Sequence, residues 1–476
     1  MATIRKIGML LAFSLWATVA LGASQQTDAP AAERQFRAWL AVFNGGDRAA
    51  LQEYLRKNNP DRADHVDDEL RFREMTGGFE FKKTEESVPT RYVALVKERD
   101  SDTFARVTME VEGAAPHKIK GGLQIMRVET PTEFRVVPMT EHDVIAAVKK
   151  LLEVRTASGK FSGAVAISKQ GKTVFEQAYG LADREKKVPN TLQTRFRMGS
   201  MNKMFTATAI LQFVQAGKLK LTDPLGKYLT DYPNKDVATK VTIHHLLTHT
   251  GGTGDIFGPE FDKQRLELKT LQDYVKLYGQ RGLQFEPGSK WDYSNYGFLL
   301  LGVIVEKVSG QGYDEYVQEH IFKPAGMTRS GSLPEDKMVP GRSVGYTKSE
   351  GSRDWKSNAD TLPYRGTSAG GGYTTVEDLL SFANALSTYK LLDKEHTELL
   401  TTGHVDTPMG SKYAYGFMDH SDEGPRWFGH GGGAPGMNGD LRIFPQSGYV
   451  VAVLSNLDPP AAEGISTYVS NRLPEK

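Results

Sequence analysis

Between Phe36 and Val137 the spacing of apolar residues changes period once. Phe36, Trp39, Leu40 and Phe43 fall at i, i+3, i+4 and i+7, which predicts an amphipathic helix stopped by Asn44-Gly45-Gly46. Asp47 is placed to cap a second helix burying Leu51 and Leu55. After Gly77-Gly78 the period becomes two. Phe79-Glu80-Phe81, Tyr92 to Val96, Phe104 to Val111, Leu123 to Val128 and Phe134 to Val137 predict strands separated by polar turns. Helices followed by antiparallel strands make an α+β layer, assigned to residues 31–138, with the boundary at Pro138 to Glu141.

Beyond that boundary a helix from about His142 to Val154 buries Val144, Val148, Leu151 and Leu152. Gly163 to Ser168 and Thr173 to Tyr179 form a hairpin turning at Gln170-Gly171. The chain is then mostly helical to about Leu400, and strands return at Leu441 to Phe444 and Tyr449 to Ser455. A last helix buries Ile465, Tyr468 and Val469. Strands at both ends of a helical stretch imply one antiparallel sheet flanked by helices, with an inserted helical subdomain, over residues 141–476. A cleft between sheet and insert is the place for a site.

Composition narrows the function. A chain of 476 residues exceeds one ordinary domain, and 39% hydrophobic with 25% charged residues is globular. The net charge of +1 gives no electrostatic case for nucleic acid or acidic membranes. With no cysteine, thiol catalysis, zinc–thiolate sites, disulfides and lipoprotein anchoring are excluded. Arg5 and Lys6 precede the apolar run Ile7 to Leu21, and Ala20-Leu21-Gly22 suits signal peptidase, so residues 1–23 read as a signal peptide. The alternative, a retained anchor, meets a run short for a bilayer span, and no other stretch is long and apolar enough to cross one.

The candidate chemistry centres on Gly199-Ser200-Met201-Asn202-Lys203. A helix starting at Ser200 puts Ser200 and Lys203 on one face, within reach of each other. A serine hydroxyl is a weak nucleophile that a neighbouring amine activates, and a helix N-terminus favours an oxyanion. Such a string is short, and a second stands at Ser387-Thr388-Tyr389-Lys390. Downstream lie Tyr293-Ser294-Asn295, before the apolar helix Phe298 to Val308, and His430-Gly431-Gly432-Gly433, before the return strands.

Taken in order, Ser200-Met201-Asn202-Lys203, Tyr293-Ser294-Asn295 and His430-Gly431-Gly432 resemble the three motifs of the serine β-lactamase and penicillin-binding-protein superfamily. The tyrosine sets them nearest the class C β-lactamases and the related esterases and D-amino-acid peptidases. Thr242 to Thr250 and Ser368-Ala369-Gly370-Gly371-Gly372-Tyr373 support the likeness, which covers roughly residues 143 to 470. The resemblance implies Ser200 as nucleophile, Lys203 as its activator, and Tyr293, its pKa lowered by Lys203, as proton shuttle. It implies Asn295 as a bridge between Lys203 and substrate, Ser200 and Gly433 N–H groups as oxyanion hole, and Gly431 and Gly432 as a substrate-binding edge. His430 stands where antibiotic-binding relatives carry lysine. Neutral at pH 7, it favours esters or amides without a carboxylate, and anionic β-lactams should react faster as pH falls towards 6, provided Lys203 and Tyr293 keep their protonation states.

The implied protein is an exported bacterial acyl-serine hydrolase, periplasmic or secreted, needing no cofactor and no metal. Its substrate is a small ester, D-amino-acid amide or peptide. A β-lactamase or D-alanyl-D-alanine carboxypeptidase is the alternative within enzymes, and a binding or sensing module the alternative outside them. The front segment, with Phe43-Asn44-Gly45-Gly46-Asp47, resembles the cone-shaped domain of the nuclear-transport-factor-two-like superfamily, which implies a structural module or an oligomer contact.

Other strings have simpler readings. Gly366-Thr367-Ser368-Ala369-Gly370 matches the GxSxG elbow but lacks the strand before it, and Gly431 to Gly436 matches GxGxxG but leads into strands. His245 and His249 read as a packed helix end, and His65, His117 and His142 as surface residues. Trp291 either lines the cleft or packs beneath the Tyr293 loop.

Overall fold

Helix α1, Ala31–Gly45, turns Phe36, Trp39 and Phe43 inward, and Gly46 ends it in the left-handed region at φ 68°. Asp47 caps α2, Arg48–Asn58, by accepting from the Ala50 N–H. A third helix, α3, Val66–Thr76, was not legible because its sequence is mostly charged and carries only Val66, Leu70 and Phe72 as an apolar stripe. Four strands follow, β1 Phe79–Val88, β2 Arg91–Glu98, β3 Phe104–Glu110 and β4 Gln124–Val128, paired antiparallel in that order. Trp39, Phe43 and Phe79 stack against one another, with ring centroids 5.0 and 5.5 Å apart along the series. This computed structural model describes residues 29–128, 130–348, 354–421 and 424–475, so the signal segment at 1–23 lies outside the described residues.

The chain divides into two units between Thr130 and Pro131. The strand expected at Phe134 to Val137 does not form. Thr132–Phe134 is a 3-10 turn, and Val137 stays 78% exposed before Pro138. In the first unit a cleft of ≈ 520 Å³ is lined by Arg34, Gln35, Tyr54, Lys57, Asn58 and His117, among others. None of its lining comes from β1–β4, so it is a groove against helices and not the inside of a cone.

The second unit starts with α4, Glu141–Ala157, capped by Thr140. Strands β5, Gly163–Lys169, and β6, Lys172–Tyr179, form the expected hairpin, with Gln170 and Gly171 both at positive φ as a two-residue turn needs. The rest of the sheet comes from the far end of the chain. These strands are β7 Val405–Asp406, β8 Lys412–Tyr413, β9 Met418–His420, β10 Trp427–Ala434, β11 Met437–Ile443 and β12 Tyr449–Ser455. All eight are antiparallel in the order β7-β8-β9-β10-β11-β12-β5-β6.

Alternation along β12 explains the layers. Val451 and Val453 face Val144, Val148 and Leu152 of α4. Val450, Ala452 and Leu454 face the opposite core. That core holds α5, Asn202–Gln215, buried almost all round, and a second apolar helix, Asn295–Ser309. Among the described residues no helix is long and apolar enough to cross a membrane.

Candidate active site

Ser200 sits in a 3-10 turn, Gly199–Met201, and the α-helix proper begins at Asn202. The expected helix start at Ser200 is thus one tight turn early. Gly199 holds φ 53°, and a Cβ there would meet the Gly433 nitrogen at 3.2 Å. A Cβ on Gly432 would lie 2.0 Å from the Met198 carbonyl oxygen and 3.1 Å from the Ser200 nitrogen. The glycine strand is therefore pressed against the serine turn, bringing Gly433 beside the backbone of Ser200. Among the described residues, strand β10 pairs with β9 only over Trp427, Phe428 and Gly429, leaving the edge from His430 onwards without a strand partner on that side. Asn438 braces this segment, donating to the Gly432 carbonyl at 3.0 Å and accepting from the Ala462 N–H at 2.6 Å.

Lys203 is wholly buried. Its Nζ lies 3.2 Å from Ser200 Oγ, 2.7 Å from Asn295 Oδ1 and 2.5 Å from the Ala369 carbonyl oxygen. Burial pushes its pKa down to about 7, partly opposed by the negative charge of Asp255. A neutral amine has two N–H groups and one lone pair. With Asn295 and Ala369 taking the hydrogens, the lone pair is left for the serine hydroxyl.

Asn295 opens α7, Asn295–Ser309, after Ser294 caps that helix through the Gly297 N–H. Short helix α6, Ile243–Leu247, leads to the loop that carries His249 and Asp255. The Asn295 backbone N–H donates to Asp255 Oδ1 at 2.9 Å, and its side-chain Nδ2 donates to Asp255 Oδ2 at 3.2 Å.

Tyr293 bonds to Ser200 through its hydroxyl, but its pKa is raised, not lowered. Burial is the dominant cause. Lys203 Nζ stands over the ring face, 4.7 Å from the centroid, and so does little for the phenol oxygen. The expected lowering by Lys203 does not occur, and the phenol is held neutral.

His430 is likewise buried, and its pKa falls to about 4 through burial first and the Lys203 charge second. Its Nδ1 bonds the Gly431 carbonyl at 2.5 Å, and Nε2 accepts from the Tyr413 hydroxyl at 3.1 Å. The imidazolium charge expected to draw anionic substrates near pH 6 does not develop at this buried position. The imidazole stays neutral until about pH 4, where Lys203 is already protonated.

Four contributors were not singled out as site residues: Asp255, His249, Ala369 and Tyr413. Ala369 acts through its carbonyl, which no side-chain pattern announces. His249 is packed just past a helix end, as expected, but it also shapes the site. It lies at φ 59°, its Nδ1 accepts from the Ser294 N–H at 3.1 Å, and its ring centre is 4.3 Å from that of Tyr293. Trp291 joins this aromatic group, 6.0 Å from His249 between ring centroids. His245 instead closes a capping box with Thr242.

The competing strings dissolve. Ser368 is completely buried, and a Cβ on Gly302 would come within 2.2 Å of its Oγ, leaving no room for a substrate. Ser387 and Lys390 are exposed at the end of a helix, and Gly431 to Gly436 runs along β10 to the turn before β11. Among the described residues no group of three or more His, Asp or Glu could hold a metal ion.

Residues 147–473 match the Beta-lactamase family. PbpX of Bacillus subtilis (strain 168), named as a penicillin-binding protein, is 35% identical over 309 residues, covering 64% of this chain and 73% of its own. A penicillin binding protein from Bacillus halodurans superposes with a TM-score of 0.62 at 34% identity, over 67% of this chain and 99% of that one. A D-stereospecific amidohydrolase from Streptomyces sp. does so with a TM-score of 0.57 at 29% identity, over 68% and 97%. Since the family match spans more than half of the sequence and includes every residue gathered around Ser200, this chain belongs to the Beta-lactamase family.

Proposed function

We propose that the protein is an exported hydrolase that works through an acyl-serine intermediate on esters or on D-amino-acid amides and peptides. The observation that carries this reading is the buried amine of Lys203, set 3.2 Å from Ser200 Oγ with its other two contacts on fixed carbonyl oxygens. In acylation the Ser200 hydroxyl proton passes to Lys203 Nζ as Oγ bonds to the substrate carbonyl carbon. The N–H groups of Ser200 and Gly433 receive the oxyanion. The bond to the leaving group then breaks, and the leaving group takes a proton relayed from Lys203 through the Tyr293 hydroxyl. Water, activated by the same pair, attacks the acyl carbon and releases Ser200.

The neutral His430 supports substrates without a carboxylate at that position. Similarity to a D-stereospecific amidohydrolase supports the amide branch, and similarity to penicillin-binding proteins supports the second reading, a β-lactamase or carboxypeptidase. Association of copies through the first unit belongs to the same proposal.

A fluorophosphonate probe tests the core of it. Labelling at Ser200 in the parent protein and none in Ser200→Ala is the expected result. No labelling of the parent protein overturns it. Turnover of p-nitrophenyl esters, D-alanine amides and nitrocefin then ranks the substrate classes, with nitrocefin expected last.

A further inference from the structure

Asp255 is joined to Asn295 twice, by the backbone N–H at 2.9 Å and by the side-chain Nδ2 at 3.2 Å, while its Oδ1 also accepts from the Ile256 N–H at 2.8 Å. A carboxylate only accepts hydrogen bonds, so the Asn295 amide has to present its NH2 to Asp255 and its Oδ1 in the opposite direction. That direction is Lys203, 2.7 Å away. Were the amide turned over, its NH2 would face an amine that is itself spending hydrogens on Ala369, and two donors would meet. The lysine lone pair would then be drawn towards Asn295 and away from Ser200.

We propose that Asp255 is a positioning residue that locks the side-chain amide of Asn295 and so keeps the free lone pair of Lys203 on Ser200 Oγ. The proposal rests on the acyl-serine reading above. Asp255 reaches Lys203 through Asn295. Its charge also acts at longer range, raising the Lys203 pKa against the larger effect of burial. The other titratable groups around the amine are Tyr293, His249 and His430, with Tyr413 behind His430. Among the groups that shift Lys203, Asp255 is the anion.

Asp255→Asn is close to isosteric, and its carbonyl still accepts from the Asn295 backbone. Its NH2, however, now faces the Asn295 NH2, and the negative charge is gone. The rate of fluorophosphonate labelling at Ser200, followed from pH 5 to 9, separates the two effects. The expected result is a maximal rate lower by about tenfold and a pH midpoint moved to lower values. Asp255→Glu, which restores an acceptor-only group, is expected to recover part of the rate and return the midpoint towards the parent value. A purely structural role lowers the labelled fraction equally at every pH and leaves the midpoint in place, which overturns the proposal. So does an unchanged profile in Asp255→Asn. Failure of the parent protein to label removes the acyl-serine reading itself, and the proposal with it. Thermal melts of each variant show whether the fold is kept.

Discussion

The Ala369 carbonyl oxygen accepts a hydrogen bond from Lys203 Nζ at 2.5 Å. Ala369 lies in the loop between Gly366 and Gly372, where the Gly371 N–H also donates to the Gly199 carbonyl at 3.1 Å. One loop therefore braces both the amine and the serine turn. The proton state of that amine governs the first prediction. With its pKa at about 7, Lys203 is mostly protonated below that value and mostly neutral above it. Serine labelling should rise with pH through about 7 and level off above 8. A rate that is flat from pH 6 to 9 rules out the neutral amine as the base.

Replacing the amine separates catalysis from stability. Lys203→Met removes the base and fills the same space with an apolar chain. The labelling rate should fall by about a thousandfold. The melting temperature should hold or rise, because a buried amine costs more to desolvate than a thioether. Loss of labelling together with a much lower melting temperature assigns Lys203 a structural duty instead.

His430→Lys places an amine, charged when protonated, at the edge of β10. Relative to p-nitrophenyl butyrate, nitrocefin turnover should increase by about tenfold through attraction of its carboxylate. The parent protein should show no histidine-dependent gain for nitrocefin between pH 8 and 6, since His430 charges only near about 4. A gain centred near pH 6 that disappears in His430→Asn contradicts this.

Gly432→Ala tests the close approach of strand and turn. The added Cβ meets the Met198 carbonyl at 2.0 Å, which neither backbone can yield without moving. A loss of about 1–3 kcal/mol in stability is expected. Labelling of the folded fraction should drop further than that, because the Gly433 N–H leaves its place beside Ser200. Retained labelling per folded molecule means the oxyanion site lies elsewhere.

Asp47→Ala in the first unit serves as a contrast. It removes the cap bond to the Ala50 N–H and should cost about 1 kcal/mol in that unit alone. Labelling of Ser200 should be unaltered. A parallel loss of labelling shows that catalysis depends on the first unit.

Much of this site was legible because its key groups are side chains at fixed spacings. Ser200 and Lys203 share a turn, and Tyr293 and Asn295 flank a helix cap, so each pair is a local pattern. The reach of Asn295 to Lys203 was implied only through resemblance, and the press of Gly432 on Met198 was not foreseen. Asp255, Ala369, His249 and Tyr413 stayed hidden. Their contacts join residues far apart in the chain, and a carbonyl or an aromatic floor has no sequence signature. The perturbed ionisation of Tyr293 and His430 was invisible for a related reason, since it depends on how completely the fold excludes water from them. In the fold, the segment Phe134 to Val137 had the alternation of a strand, but a 3-10 turn occupies its start.

Strand β12 pairs with β5 residue for residue, from Tyr449 opposite Lys169 to Ser455 opposite Gly163. The hairpin that precedes the nucleophile is thus completed by a segment that follows it far along the chain. Until the ribosome has released that segment, β5 has a bare hydrophobic edge and Ser200 has no glycine strand beside it. A nascent or truncated chain ending before Trp427 should accordingly be unreactive and prone to chaperone capture. The topology therefore holds back competence until the far strands have joined the hairpin.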